Sequence, residues 1–251
     1  MSPTEAAGSG AGRPPATTAA FRPTFLTRLQ GWLGRALVLA IARWPLRLRL
    51  DVRGLQHVPA GEPLIVAAGP HRSWIDSFVL LMALPAEPRL WFLGSAAAMF
   101  RSWPRRATLR LAGGVVPVET YGGLNRAALA TSVAILAAGN RLAVFPEGWE
   151  EMDAAPDALE PFKRGAAFLS QHSGRRALPA GLAGTQEVWR GKTLRVEFGP
   201  PLPALPPAAG RAAEAAWTAE LHAAVAAVLP PLPPEPAAGR KSWTWLNGVL
   251  R

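Results

Sequence analysis

Two segments carry the residue types that proton transfer requires. In Gly69-Pro70-His71-Arg72-Ser73-Trp74-Ile75-Asp76-Ser77 an imidazole is followed five positions later by a carboxylate, a base and a group able to orient it. Residues five apart do not share a face of one continuous helix, because neighbours on a face lie three or four apart. His71 is therefore expected in the loop before a helix, with Asp76 folding back from the first turn. A carboxylate held on one ring nitrogen would fix the tautomer and stabilise the imidazolium, so that the other nitrogen takes a proton from a hydroxyl. Ser73-x-x-Asp76 before an apolar run is also the pattern of a capping box, which gives Asp76 a purely structural reading beside the catalytic one.

The second segment, Arg141-Leu142-Ala143-Val144-Phe145-Pro146-Glu147-Gly148, reads as a buried strand ending in a turn that displays an acid. In a chain of this composition Phe-Pro-Glu-Gly arises by chance about 0.005 times and His-x4-Asp roughly 0.06 times, so finding both is informative. Other signatures fail. Gly191-Lys192-Thr193 resembles the end of a P-loop, but Gln186 occupies the upstream glycine position, and no Gly-x-Ser-x-Gly or His-Glu-x-x-His occurs. With no Cys, a disulfide framework, a thiolate metal site and a cysteine nucleophile are excluded. The four His are far apart, so neither a metal nor another cofactor is expected.

The elements that must position these groups follow from periodicity. Short apolar runs predict strands near Leu46–Val52, Leu64–Ala68, Arg89–Leu93, Gly114–Val118, Arg141–Phe145, Ala177–Leu182 and Thr193–Phe198. Helices are predicted near Ser73–Leu84, Leu124–Ala138, Phe162–His172 and Arg211–Leu229. This alternation specifies an α/β fold, a sheet flanked by helices. Residues 1–20 read as a disordered leader, Pro200–Pro207 and Pro230–Pro236 as linkers, and Lys241–Arg251 as a short amphipathic tail that could dock on the domain or touch lipid.

The 251 residues carry 27 Lys and Arg against 17 Asp and Glu, a formal net charge of +10 that calls for an anionic partner. Residues 1–53 hold eight Arg against two acids, Glu5 and Asp51, a net +6, and Arg101, Arg105, Arg106 and Arg110 form a second cluster. From Phe25 to Trp44 a stripe of Phe25, Leu29, Trp32, Leu33, Ala36, Leu37, Ala40, Ile41 and Trp44 lies apart from Arg28, Arg35 and Arg43. Such a helix suits the headgroup region of an anionic membrane, or it packs on the protein's own core; the pattern leaves both open. It is too short and too charged to span a bilayer. No recognition helix or stacking-aromatic module supports a nucleic-acid partner.

These segments together resemble the PlsC family of glycerolipid acyltransferases. His71 and Asp76 match the family's Asn-His-x4-Asp block, with Pro70 in place of the Asn, and Phe145, Pro146, Glu147 and Gly148 match its Phe-Pro-Glu-Gly block. Pro161-Phe162-Lys163-Arg164-Gly165-Ala166 is similar to its Phe-Lys-x-Gly element, and the likeness extends from about Asp51 to Leu202. The resemblance implies a mixed sheet flanked by helices, with an N-terminal amphipathic helical element. It implies transfer of a fatty acyl group from acyl-CoA or acyl-carrier protein to the hydroxyl of a lysophospholipid or related lipid. An alcohol is a poor nucleophile at neutral pH, so an oriented base helps most, and direct attack on a thioester needs no covalent enzyme intermediate. Backbone amides near the helix after His71 are a candidate oxyanion site.

By that resemblance His71 is the general base and Asp76 its orienter. The substrate-binding candidates are Phe145, Pro146, Glu147, Gly148, Arg72, Ser73, Glu119, Arg126, Lys163 and Arg164. Arg72 could meet a donor phosphate, although solvation is its default, and His57, His172 and His222 are read as structural. Thr120 and Glu150 stand at or near places where the family has phosphate-binding Arg. A non-phosphate acceptor, such as an aminolipid or glycan, is therefore an alternative, as is a catalytically silent lipid-binding relative. The expected organisation is a leader (1–20), a membrane-surface helix (21–45), an acyltransferase domain (46–229) and a Pro-rich linker with its tail (230–251). All but three of the cationic residues are Arg, which with the family type suggests a bacterial protein on the cytoplasmic side of the cell membrane, held peripherally.

Overall fold

The computed structural model describes residues 18–73, 75–95, 113–118, 126–148, 155, 157–237, 240–245 and 247. Seven strands form one mixed sheet: β1 (Arg49–Arg53), β2 (Ile65–Gly69), β3 (Leu90–Ser95), β4 (Gly114–Val118), β5 (Arg141–Val144), β6 (Ala177–Ala183) and β7 (Thr193–Phe198). Their order is β1-β7-β6-β2-β5-β3-β4. Only the β6–β7 contact is antiparallel, so β1 and β7 run opposite to the other five. The carboxyl ends of β2, β5 and β6 therefore share an edge of the sheet with the amino ends of β1 and β7.

The helices are α1 (Phe25–Arg43), α2 (Ile75–Ala83), α3 (Arg126–Ala137), α4 (Gly165–Ser173) and α5 (Arg211–Ala227). Parallel strands covered on both faces read as continuous apolar runs, and every residue of β2, β5 and β6 is buried. Alternation still sorts their side chains. Leu64, Val66 and Ala68 join the cluster beneath α1 and α2, whereas Ile65 and Ala67 join the cluster beneath α3, α4 and α5.

Two segments expected to be linkers are packed. Leu202 and Leu205 are buried, and Leu202 exchanges both backbone hydrogen bonds with Ala177. Pro230 and Pro233 are also buried. Proline density suggested a spacer, but apolar side chains between and within the proline runs provide surface to bury. The leader reading also extends too far: Thr18–Phe21 forms a 3-10 turn whose Phe21 ring meets Trp91 edge-on, 5.2 Å between centroids.

Helix α1 packs one face on the body and leaves another exposed. It turns Gly34, Val38 and Ala42 to the body and exposes Phe25, Leu29, Trp32, Leu33, Leu37 and Ile41. Gly34, Val38 and Ala42, at four-residue spacing, form the face that packs on the body, with Leu39 beside them, while the exposed apolar row takes no part in that core. Arg35, on the face apart from the apolar stripe, donates from Nε to the Leu81 carbonyl and from Nη2 to the Met82 carbonyl, both at 3.0 Å. A cation at the last carbonyls of α2 complements the negative end of the helix dipole. None of the helices among the described residues is long and apolar enough to cross a membrane.

Arg35→Ala should lower the unfolding free energy in a urea titration by about 1–2 kcal/mol, since two charge-assisted bonds and the dipole interaction are lost. An unchanged midpoint would mean that the small residues alone hold α1.

Candidate active site

Strand β2 ends at Gly69, and the chain reaches Ile75, the first residue of α2, through the loop that bears His71. His71 Nδ1 stands 2.8 Å from Asp76 Oδ2, and the same oxygen accepts the backbone N–H groups of Arg72 and Ser73, each at 2.9 Å. Because Oδ2 already accepts two N–H groups, Nδ1 must carry the proton shared with it, and Nε2 is the basic nitrogen of the neutral ring. Asp76 is fully buried, and its Oδ1 has no hydrogen-bond partner among the described residues. The capping and catalytic readings of Asp76 prove compatible. One oxygen folds the loop and orients the imidazole.

Phe145 holds the other dimension of the ring. Its phenyl group stacks on His71 with 3.9 Å between centroids and planes 9° apart. An imidazolium formed during proton transfer would gain a cation–π contact from this partner. Ser73 is fixed as well: its hydroxyl donates to the Thr185 carbonyl at 2.9 Å, after β6, and accepts from the Ile75 N–H at 3.2 Å.

Glu147 has a different task from the substrate binding expected of it. Its side chain is only 2% exposed, with Oε1 accepting the His71 N–H at 2.9 Å and Oε2 the Glu160 N–H at 3.0 Å. Arg72 Nη1 lies 3.6 Å from Oε2. The carboxylate thus ties the His71 loop, the Phe-Pro-Glu-Gly turn and the 157–160 segment together. Burial raises the Glu147 carboxyl above the usual range, and the two backbone donors and Arg72 oppose that shift.

Arg72 is not solvated. It is 1% exposed, and its guanidinium donates to the carbonyls of Ala155 (3.2 Å), Ala158 and His71 (3.4 Å). A planar fork of donors can serve several carbonyls at once, which explains an arginine so deep beside the loop. The amides of Arg72 and Ser73 are taken by Asp76, and that of Ile75 by the Ser73 hydroxyl, which removes these three as oxyanion donors.

Lys163 lies against the turn. Its backbone N–H donates to the Pro146 carbonyl at 2.8 Å, and its Nζ is 2.2 Å from where a Cβ on Gly148 would stand. Gly148 also has φ +102°, so any side chain there would be strained as well as in collision. Arg164 caps α4 and is exposed, as is Arg126 at the start of α3; among the described residues nothing joins Arg126 to His71. Glu119, Thr120 and Glu150 lie outside the described residues, as do Trp74 and the arginines at 101, 105, 106 and 110. His172 bonds the Phe168 carbonyl at 2.9 Å, and His222 meets Phe162 edge-on, both on the α4–α5 face. The Ala155, Ala158 and Thr185 carbonyls were not anticipated, since backbone groups leave no mark in a sequence.

A family model described as Acyltransferase matches residues 49–183. The chain is 26% identical over 167 residues to 1-acyl-sn-glycerol-3-phosphate acyltransferase alpha of Mus musculus, covering 63% of this chain and 54% of that protein. Against the Homo sapiens protein of that name it is 26% identical over 182 residues, covering 66% and 59%. The chain thus spans little more than half the length of these relatives. The fold is shared with the crystal structure of the 1-acyl-sn-glycerophosphate (LPA) acyltransferase PlsC from Thermotoga maritima, at TM-score 0.53 and 17% identity over 79% of this chain and 77% of that one.

His71→Ala and Asp76→Asn should each cut turnover by about 10²–10⁴-fold with the fold retained, as loss of an oriented general base does. Asp76→Asn should also change the pH–rate profile, because an amide in place of the carboxylate no longer fixes the Nδ1–H tautomer. Near wild-type rates in His71→Ala would remove the imidazole from the reaction.

Proposed function

The chain belongs to the Acyltransferase family, and from that premise we propose that it transfers a fatty acyl group from a thioester donor to the hydroxyl of a lysophospholipid at a membrane surface. The observation that carries this reading is the His71–Asp76 pair, held at the carboxyl edge of the sheet with Nδ1 on the carboxylate. Nε2 takes the proton of the acceptor hydroxyl as its oxygen attacks the thioester carbonyl. A C–O bond forms, the C–S bond breaks as the tetrahedral intermediate collapses, and the proton passes to the leaving thiolate. His71 is thus base and then acid, while Asp76 stabilises the imidazolium between the two steps.

The Lys163 ammonium at Gly148 is a cation for an acceptor phosphate, 16 positions beyond Glu147 in sequence but beside the turn in space. Charge-assisted contacts to phosphate are strong, so Lys163 compensates for Thr120 and Glu150. The same two residues favour the second reading, a neutral or amine-bearing acceptor. The exposed row of Phe25, Leu29, Trp32, Leu33, Leu37 and Ile41 on α1 faces the lipid, and the arginines of the N-terminal region supply attraction to anionic headgroups.

Radiolabelled acyl-CoA and acyl-carrier protein, each offered with lysophosphatidic acid, neutral lysolipids and lyso-aminolipids, would identify donor and acceptor. Lys163→Ala should raise KM for phosphate-bearing acceptors and leave kcat nearly unchanged; an equal effect on neutral acceptors would exclude a phosphate contact. Substituting Glu for both Leu33 and Leu37 should abolish flotation with anionic vesicles without changing thermal stability. Flotation equal to wild type would remove α1 from the lipid contact.

A further inference from the structure

The C-terminal tail and the far end of α1 meet at the catalytic edge of the sheet, through the 184–192 connection between β6 and β7. The Gly191 N–H donates to the Leu46 carbonyl at 2.8 Å, just after α1, and the Arg190 N–H donates to the Ser242 carbonyl of the tail at 3.0 Å. Arg190 Nε also donates to the Pro45 carbonyl at 3.2 Å, and its guanidinium carbon lies 5.9 Å from the centre of the Trp243 ring. One side chain therefore touches both Trp243 and the residue after Trp44.

The tail is built into this place. The Val228 carbonyl lies 2.1 Å from where a Cβ on Gly181 would stand, so only glycine lets the chain leave α5 this close to β6. Farther on, Lys241 pairs with Glu187 at 3.0 Å and Glu235 at 2.9 Å, and its ammonium lies 4.4 Å from the centre of the Trp189 ring. Lys192 approaches the same ring at 3.7 Å and Glu235 at 3.4 Å. The Asn247 amide clasps Val188, accepting its N–H at 2.8 Å and donating to its carbonyl at 3.1 Å.

Two tryptophans project from this clasp. Trp243 adopts φ +67°, a left-handed conformation that a bulky residue rarely takes, and stays 40% exposed; Trp245 is 62% exposed, 6.3 Å away between ring centroids. Trp44, at the C-terminal end of α1, is 87% exposed. Three indoles left in water are costly for a surface without an apolar partner, and the ring's apolar body and N–H suit the bilayer headgroup level. Charge indicates which surface. Glu187 and Glu235 are taken up by Lys192 and Lys241, while Arg43 and Arg47 flank Trp44 in sequence, Arg240 precedes Trp243 by three residues, and Arg190 lies against the Trp243 ring.

We propose that Trp243 and Trp245, with Trp44, form a second lipid-contacting patch that docks on an anionic phospholipid bilayer and turns the catalytic edge of the sheet toward it. This rests on the reading of the chain as a membrane-surface acyltransferase and adds the orientation that the exposed row of α1 alone does not fix. A helix lying in the interface is free to roll about its axis. A second contact at one end, joined through Arg190 and the Thr185–Gly191 connection to Ser73, removes that freedom next to His71.

The test uses the full chain, vesicles of phosphatidylglycerol and phosphatidylcholine, and the W243S/W245S double variant, with Leu55→Ala as control because Leu55 is exposed at the opposite end of the sheet. The double variant should partition about tenfold more weakly, as expected when two half-buried indoles are lost. Its melting temperature and its turnover of acceptor dispersed in detergent micelles should be unchanged, and its turnover of vesicle-embedded acceptor should fall. W245S alone, which removes the more exposed ring, should give part of the loss. Partitioning of the double variant equal to wild type overturns the patch and leaves α1 as the docking element. If wild type binds no vesicles, the patch and the membrane reading fail together, while micellar turnover decides separately whether the chain is an acyltransferase.

Discussion

One carboxylate oxygen organises the site. Asp76 Oδ2 accepts from the His71 ring and from the amides of Arg72 and Ser73, so imidazole orientation and loop conformation have a common cause. That oxygen is fully buried, where an unsatisfied acceptor would be costly and a satisfied one is rigid. Asp76 can occupy this place because α2 is apolar on nearly every side, with seven of its nine residues buried against β1, β7 and the central strands. The helix is held by packing, and its first turn delivers the acid.

A second buried carboxylate extends this order across the sheet. Glu147, after β5, reaches the backbone of His71, after β2, and that of Glu160, while Arg72 runs alongside and fastens the carbonyls of Ala155 and Ala158. Neither charge would be tolerated there alone. Together, with every strong donor directed at an oxygen, they replace the water that burial removed. Parallel strands β2 and β5 lie next to each other, and this adjacency brings the two motifs to one edge.

The same edge gathers the features on which the proposed lipid contact rests. Because β1 and β7 run against the other strands, the end of α1 and the 184–192 connection fall on the catalytic side, and the tail is clasped there too. The proposed reaction at a membrane surface would turn His71 toward the headgroups. Strand direction brings the end of α1, Arg190 and Trp243 to that edge.

The His71–Asp76 geometry and the layers are legible in the sequence. His71 and Asp76 at five-residue spacing required a loop before a helix, the seven apolar runs became seven strands, and Phe145–Gly148 followed a buried run as the turn does. These are local properties, set by the period of side chains along a strand or helix. What the sequence left open or misplaced depended on partners distant along the chain. Glu147 is a substrate-binding candidate by resemblance, and solvation is the default for Arg72; the backbone groups of Ala155, Ala158 and Glu160 are what let both charges be buried. The partners of Arg35 are the last carbonyls of α2, more than 40 residues away in sequence, and the proline runs read as spacers although Leu202 and Leu205 are buried. Periodicity and motif spacing determined which elements form and which groups can do chemistry. Tertiary structure decided which charges are buried, since burying a charge requires donors and acceptors whose sequence separation no local pattern encodes.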